Sequence, residues 1–291
     1  MPALGTLGGA AARGFGLFGK GITIIPSGTF GVFARGQNTV AQTTQYNFGP
    51  DSTVAYTNLV NVLSNSGAGA SNLFTGVLAN GGASQSKVTS KITFAAASII
   101  AGTALANFLW RSGGAAGNSA TALFVSGESN GSNASLLTST YTYASDVMSY
   151  LTNMATNCAQ GASVGNITYS ITAVGSATGS SLATNKYTYA SAAVATATSL
   201  PLGFSQGSAA GNDTRGMFFT GTASRKYTWA TEVVVTAGTL TTSIALSPGA
   251  CGTPTNAIAA GTGVSAPTTK YNYAGDTSSP AAALTLSLIH I

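Results

Sequence analysis

Aromatic and polar residues alternate in six short windows along the chain. The clearest is Lys226-Tyr227-Thr228-Trp229-Ala230-Thr231-Glu232, and it returns as Lys270-Tyr271-Asn272-Tyr273-Ala274-Gly275-Asp276. Earlier copies read Lys186-Tyr187-Thr188-Tyr189 and Thr140-Tyr141-Thr142-Tyr143, and weaker ones read Lys91-Ile92-Thr93-Phe94 and Gln45-Tyr46-Asn47-Phe48. The residue between the two apolar positions is always Thr or Asn. A period of two puts both rings on one face of a β-strand. Taking Tyr46, Ile92, Tyr141, Tyr187, Tyr227 and Tyr271 as anchors, the spacings are 46, 49, 46, 40 and 44 residues. A period in the forties held along most of a chain marks a repeat architecture.

Each repeat holds further strand signals. Upstream of the anchor lies a short apolar run, such as Phe30-Gly31-Val32-Phe33, Leu123-Phe124-Val125 or Met217-Phe218-Phe219. Gly117-Asn118, Gly165-Asn166 and Gly211-Asn212 precede three of these, and Gly-Asn is turn chemistry because both residues tolerate positive φ. Downstream comes a β-branched run such as Val233-Val234-Val235-Thr236, then a weaker segment such as Ser243-Ile244-Ala245-Leu246. Four short strands per repeat of about 46 residues predict an all-β fold, a β-propeller of four-stranded antiparallel blades in one domain spanning 1–291. Six blades are expected, or seven if a repeat has been lost. The segment 4–14 resembles the stretch that follows a third strand elsewhere, so it is expected to complete the last blade.

Composition narrows this picture. Charged residues make up only 6% of the chain and hydrophobic ones 44%, with 37 glycines, which suits close-packed β-structure with tight turns and not disorder. The net charge of +5 is scattered, with no basic cluster and no nucleic-acid-binding motif, so a nucleic-acid partner is not expected. Ile92–Trp110 carries no charge and is long enough to cross a bilayer, but its first residues are in repeat register; it reads as two strands and a turn. Cys158 and Cys251 lack metal-site spacing and read as buried small residues.

Four copies carry an acid five residues after the anchor (Asp51, Asp146, Glu232, Asp276) and four carry a Lys just before it (Lys91, Lys186, Lys226, Lys270). Eight of the 17 charged side chains, 11 basic and 6 acidic, are therefore in repeat register and are read as local structural groups. Only an arrangement of the repeating acids around the axis would offer Ca²⁺ a site. Gly127-Glu128-Ser129-Asn130-Gly131 spells Gly-x-Ser-x-Gly, but a polar loop follows and not a helix, and Gly113-Gly114-Ala115-Ala116-Gly117 reads as a turn. No catalytic, cofactor or metal residues are assigned. What does not repeat is the place for a ligand: Glu128, Asn130 and Asn133 in one loop, and Asn212, Asp213 and Arg215 in another.

The Gly-Asn … Phe-x-x-Gly … Lys-Tyr-Thr-Tyr-Ala-Ser-Asp pattern resembles kelch-like propeller repeats. More narrowly, it resembles the divergent Lys-Tyr-Thr-Tyr-Ala repeats of bacteriophage, cyanophage and cyanobacterial proteins, over about residues 28–285. The resemblance implies a non-enzymatic structural or adhesion module on a virion appendage such as a tail fibre, or on an extracellular microbial surface. The implied partner is a protein or a surface glycan, with assembly as a homo-oligomer in a virion or filament, and a lectin-like glycan-binding propeller is the alternative. Leu286-Ser287-Leu288-Ile289-His290-Ile291 resembles translated sequencing-adaptor sequence and is read as a non-native tail that includes the single histidine.

Overall fold

The computed structural model describes residues 21–24, 30–35, 41–61, 67–72, 74–79, 86–106, 113–125, 127–129, 133–175, 180–244, 249–261 and 267–284. They form six four-stranded antiparallel sheets, the blades of a β-propeller. Blade 1 is β1 (Gly21–Ile24), β2 (Phe30–Arg35), β3 (Thr43–Asn47) and β4 (Ser52–Ala55). Blade 2 is β5 (Ala68–Ser71), β6 (Thr75–Ala79), β7 (Thr89–Thr93) and β8 (Ser98–Ala101). Blade 3 is β9 (Gly114–Gly117), β10 (Thr121–Val125), β13 (Thr138–Thr142) and β14 (Val147–Tyr150), with a small hairpin, β11 (Glu128–Ser129) and β12 (Asn133–Ala134), inserted between its second and third strands. Blade 4 is β15 (Ala162–Gly165), β16 (Tyr169–Ala173), β17 (Thr184–Thr188) and β18 (Ala193–Thr196). Blade 5 is β19 (Ser208–Gly211), β20 (Arg215–Thr220), β21 (Ala223–Thr228) and β22 (Val233–Thr236). Blade 6 is β23 (Gly249–Gly252), β24 (Asn256–Ala260), β25 (Thr268–Asn272) and β26 (Thr277–Pro280).

The anchor residues sit on the third strand of every blade. Their rings meet the aromatic two positions on, as the alternation predicts: Tyr141 and Tyr143 pack edge-to-face at 5.2 Å, Tyr187 and Tyr189 at 5.4 Å. These residues fill the seams between blades. One buried cluster joins Phe33, Tyr46 and Phe48 of blade 1 to Cys251 and Ile258 of blade 6, and another joins Phe219 of blade 5 to Ile258's neighbours Ala257 and Ala259 and to Tyr271. The core is thus a ring of inter-blade seams and not one central mass. β7 and β8 account for the start of the uncharged 92–110 span, and no helix among the described residues is long and apolar enough to cross a membrane.

Three expectations need correction. The weak fourth segment was placed at Ser243–Leu246, but Ser243 and Ile244 lie in a connection, and the innermost strand of blade 6 is Gly249–Gly252. The run Gly114–Gly117 is likewise a strand and not a turn. Blade 1 has Gly-Ile-Thr-Ile as its innermost strand, while in blades 2 to 6 the innermost strands are made of small residues with at most one larger one: Ala-Gly-Ala-Ser, Gly-Ala-Ala-Gly, Ala-Ser-Val-Gly, Ser-Ala-Ala-Gly, Gly-Ala-Cys-Gly. All residues of these five strands are buried. Six strands converging on one axis leave little volume, and small side chains dominate these five strands. A Cβ added at Gly165 would stand 2.5 Å from Tyr189 Oη, and one at Gly211 2.8 Å from Val164 Cγ2.

The third correction concerns ring closure. Blade 6 takes all four strands from Gly249–Pro280, so it needs none from residues 4–14, which lie outside the described residues. Each blade is one contiguous stretch of chain. The innermost strands neighbour one another in the order β1, β5, β9, β15, β19, β23, and β23 lies beside β1. The suggested tail 286–291 also lies outside the described residues.

Candidate functional site: two unlike faces of the ring

Antiparallel succession places the 1–2 and 3–4 turns of every blade on one face of the ring, and the 2–3 and blade-to-blade connections on the other. The two faces are built on different rules.

On the turn face, the same side chains recur. Asn118 Oδ1 accepts the amides of Ala120 (2.9 Å) and Thr121 (2.8 Å), closing an Asx turn between β9 and β10. Asn72, Asn166 and Asn212 do the same in blades 2, 4 and 5, and Thr253 Oγ1 takes the role in blade 6. Three of these asparagines also reach the next blade through their amide nitrogens: Asn72 Nδ2 donates to Ser119 O (3.2 Å), Asn118 Nδ2 to Ile167 O (3.1 Å) and Asn212 Nδ2 to Pro254 O (2.7 Å). Asn72, Asn118 and Asn212 therefore each shape their own turn and fasten it to the neighbouring blade.

The 3–4 turns are equally uniform. The residue five after the anchor has positive φ in all six blades: Asp51 (49°), Ala97 (47°), Asp146 (56°), Ala192 (53°), Glu232 (54°) and Asp276 (49°). Asp is among the residues that tolerate this region best. In the three blades that pair a Tyr anchor with an Asp, the anchor hydroxyl donates to the acid of its own blade: Tyr46 to Asp51, Tyr141 to Asp146, and Tyr271 to Asp276 at 3.1 Å. Blade 2 lacks both partners, with Ile92 and Ala97.

The repeating bases do not pair within their own repeat, which corrects the expectation of local groups. They cross the seams. Lys91 Nζ lies 2.8 Å from Asp146 Oδ2 in the next blade, Lys186 pairs with Glu232, and Lys226 pairs with Asp276. Arg215 Nη1 also lies 3.5 Å from Asp276 Oδ1, and it donates to Tyr273 O. The Lys91 ammonium and the Tyr141 hydroxyl hold the Asp146 carboxyl below its ordinary range. Burial alone would raise Asp51; the hydrogen bonds from Tyr46 and the Ala282 amide and the charge of Lys270 outweigh it and bring Asp51 below its ordinary range. The acids sit between third and fourth strands, away from the axis, so they form no axial Ca²⁺ ring. Among the described residues no group of three metal-ligating side chains comes together.

The other face carries the variation. The 2–3 connection shrinks in blade 5 to Gly221-Thr222, a two-residue hairpin with Gly221 at φ 55°, and it grows in blade 3 to residues 126–137 with the β11–β12 hairpin. In that hairpin Glu128 pairs with Ala134 and Ser129 with Asn133 in backbone register. Ser135 bridges to Cys158, and Ser181 to Phe204, so in blades 3 and 4 this connection is tied to the one leading to the next blade.

Two larger polar side chains hold those blade-to-blade connections. Asn185 Oδ1 accepts the Thr156 amide (3.0 Å) while its Nδ2 donates to Thr156 O (3.1 Å). One blade on, Arg225 Nε donates to Leu202 O (3.2 Å) and Nη2 to Gly203 O, with the guanidinium over the Phe204 ring. Arg225 is 2% exposed, and burial pushes its guanidinium down to about 10. Other blades have Thr44, Ser90, Ser139 or Thr269 at this position.

The six expected ligand-contacting residues therefore do not form one site. Glu128 and Asn133 belong to the 2–3 connection of blade 3, Asn212 and Asp213 to the 1–2 turn of blade 5 and Arg215 to the start of β20 beside it, on the opposite face; Asn130 lies outside the described residues. Asn212 and Arg215 are engaged in turn and seam contacts. Sequence reasoning missed a sixfold hydroxyl three residues before each anchor. Thr43, Thr89, Thr138, Thr184, Ser224 and Thr268 each donate to the carbonyl fourteen residues on, at 2.8 Å in blade 1 and 2.9 Å in blade 4. Aligning the six repeats would have revealed it. Compared with protein-family models and with curated proteins, the chain gives no match.

Proposed function

We propose that the ring is a non-enzymatic structural and adhesion module of a virion appendage or a microbial surface, and that it engages a protein or surface glycan through its variable-loop face. One observation carries this reading. The repeated charged and amide groups of the turn face are engaged in turns and seams, while differences between repeats in length and side-chain size concentrate on the other face. A surface that varies on an otherwise uniform scaffold is where binding specificity is placed.

A glycan ligand is the second reading, favoured by Tyr150. It is 60% exposed at the end of β14, in the blade that carries the inserted hairpin, and its hydroxyl donates to Asn153 Oδ1 at 3.2 Å. An exposed ring beside an amide can stack on a sugar and bond its hydroxyls.

The test is retention of labelled full-length protein on candidate host cells, together with co-purification with virions, for the parent and for a variant whose residues 127–134 are replaced by a Gly-Thr turn. Retention by the parent and loss in the folded variant are expected. Equal retention of both would refute the loop-face assignment, and no retention or co-purification of the parent would refute adhesion. A glycan array on the parent and Tyr150→Ala separates sugar from protein as the ligand.

A further inference from the structure

The charged groups at the seams follow a rule that runs once around the ring. By repeat register, the residue just before the anchor in each blade is matched with the residue five after the anchor in the next blade. Where the first is a Lys, the second is an acid: Lys91 with Asp146, Lys186 with Glu232, Lys226 with Asp276. Where the second is Ala, the first is neutral: Gln45 precedes Ala97, and Thr140 precedes Ala192. That covers five seams. At the sixth the rule joins the two ends of the ring: the matching positions are Lys270 of blade 6 and Asp51 of blade 1, and the Lys270 charge acts on the Asp51 carboxylate. The side-chain code and the backbone agree there, since β23 lies beside β1, Ala282 N donates to Asp51 Oδ1 at 3.0 Å, and Thr53 Oγ1 donates to Ala283 O at 3.0 Å. Leu284 packs into the same cluster as Tyr46 and Phe48.

From this we infer that blade 1 is the cognate neighbour of blade 6, so that the ring closes on itself at six blades by charge matching, with Lys270 and Asp51 as the closing pair. No blade needs strands from both ends of the chain. In many propellers one blade takes strands from both chain ends, so that backbone hydrogen bonds within a sheet close the ring. Here closure rests on a seam between whole blades; seam identity selects blade 1 over the other blades as the neighbour of blade 6, and the intramolecular link favours the chain's own blade 1 over that of another copy. Unlike partners would leave a partly buried charge unmatched, a cost that falls on the wrong pairing. The two neutral seams show that the charged pairs are not required for packing as such. They specify which faces meet.

The test is hydrogen exchange on the full chain, with sedimentation to follow its assembly state. Lys270→Glu sets two acids across the closing seam. It should lower protection by about fivefold in peptides on both sides, 47–55 of blade 1 and 277–284 of blade 6, as expected for a partly exposed pair turned from attraction to repulsion. Lys226→Glu should do the same for blades 5 and 6 and leave blade 1 unchanged. Should Lys270→Glu fail to fold, Lys270→Gln removes the attraction alone and should show the same two-sided loss at smaller size. A second arm writes the code into a neutral seam. Gln45→Lys with Ala97→Asp should raise protection at the blade 1–2 seam beyond the sum of the single changes, because Asp suits the positive φ at position 97. Loss confined to blade 6 in Lys270→Glu, with blade 1 untouched, would overturn the closing pair. Additive effects in the second arm would overturn the code.

Discussion

Asn212 separates a binding role from a structural one, because its two side-chain atoms do different work. Its Oδ1 accepts from Thr214 N (2.9 Å), Arg215 N (3.0 Å) and Thr214 Oγ1 (2.8 Å), which shapes the turn between β19 and β20. Its Nδ2 donates to Pro254 O of blade 6 at 2.7 Å, which spans the seam. Truncation to Ala removes both. Loss of a turn-capping side chain costs about 1 kcal/mol, as for a helix N-cap. Loss of one seam hydrogen bond costs about 1 kcal/mol more, since water reaches the partly exposed partner. For a chain of this size about 1 kcal/mol shifts the midpoint by roughly 2 °C, so Asn212→Ala should lower the thermal midpoint by about 4 °C. Asn212→Asp keeps the accepting oxygen and loses only the donor, so it should cost about half as much. Asn118→Ala is the control, because Asn118 makes the same contacts with Ala120, Thr121 and Ile167. Scanning calorimetry at fixed salt reads all three. An unchanged midpoint for Asn212→Ala, or an Asp variant as damaging as the Ala variant, would refute the double role.

Three further outcomes follow from the same contacts. Asp51 and Asp146 are held below the ordinary value of 3.8, so each stabilises the fold above that pH and loses its contribution as pH falls through the lower folded-state value. The thermal midpoint should therefore stay level above about pH 5 and drop below about pH 4, and Asp146→Asn should flatten part of that drop, by less than about 1 kcal/mol because the pair is partly exposed. Cys158 and Cys251 are free and fully buried, and burial pushes the Cys158 thiol up to about 12 and Cys251 well above its ordinary value. Neither should react with an aromatic disulfide reagent at pH 8 in the folded protein, and both should react in denaturant, as read by absorbance. Thr184→Val removes the 2.9 Å bond to Thr198 O while keeping the shape, and it should cost about 1 kcal/mol in urea unfolding.

The sequence by itself determined a great deal of this protein. The alternation around Tyr141, Tyr187, Tyr227 and Tyr271 gave the third strand of each blade, and the spacing of the anchors gave six four-stranded repeats, because period-two patterning and repeat length are local properties. The Gly-Asn pairs marked real turns for the same reason. The innermost strands could not be read this way. Gly114–Gly117 and Gly249–Gly252 carry no hydropathy signal, and their composition is set by convergence of six strands on an axis, which no single repeat contains. The partners of Lys91, Lys186 and Lys226 were equally out of reach, since each acid lies one blade away and only the ring brings them together. The separation of Glu128 from Asp213 was settled by the same geometry. Antiparallel succession puts them on opposite faces, so residues that looked alike as polar loop positions belong to different surfaces. Local chemistry wrote the strands and turns; packing of blade on blade decided which charges meet and on which face the repeats differ.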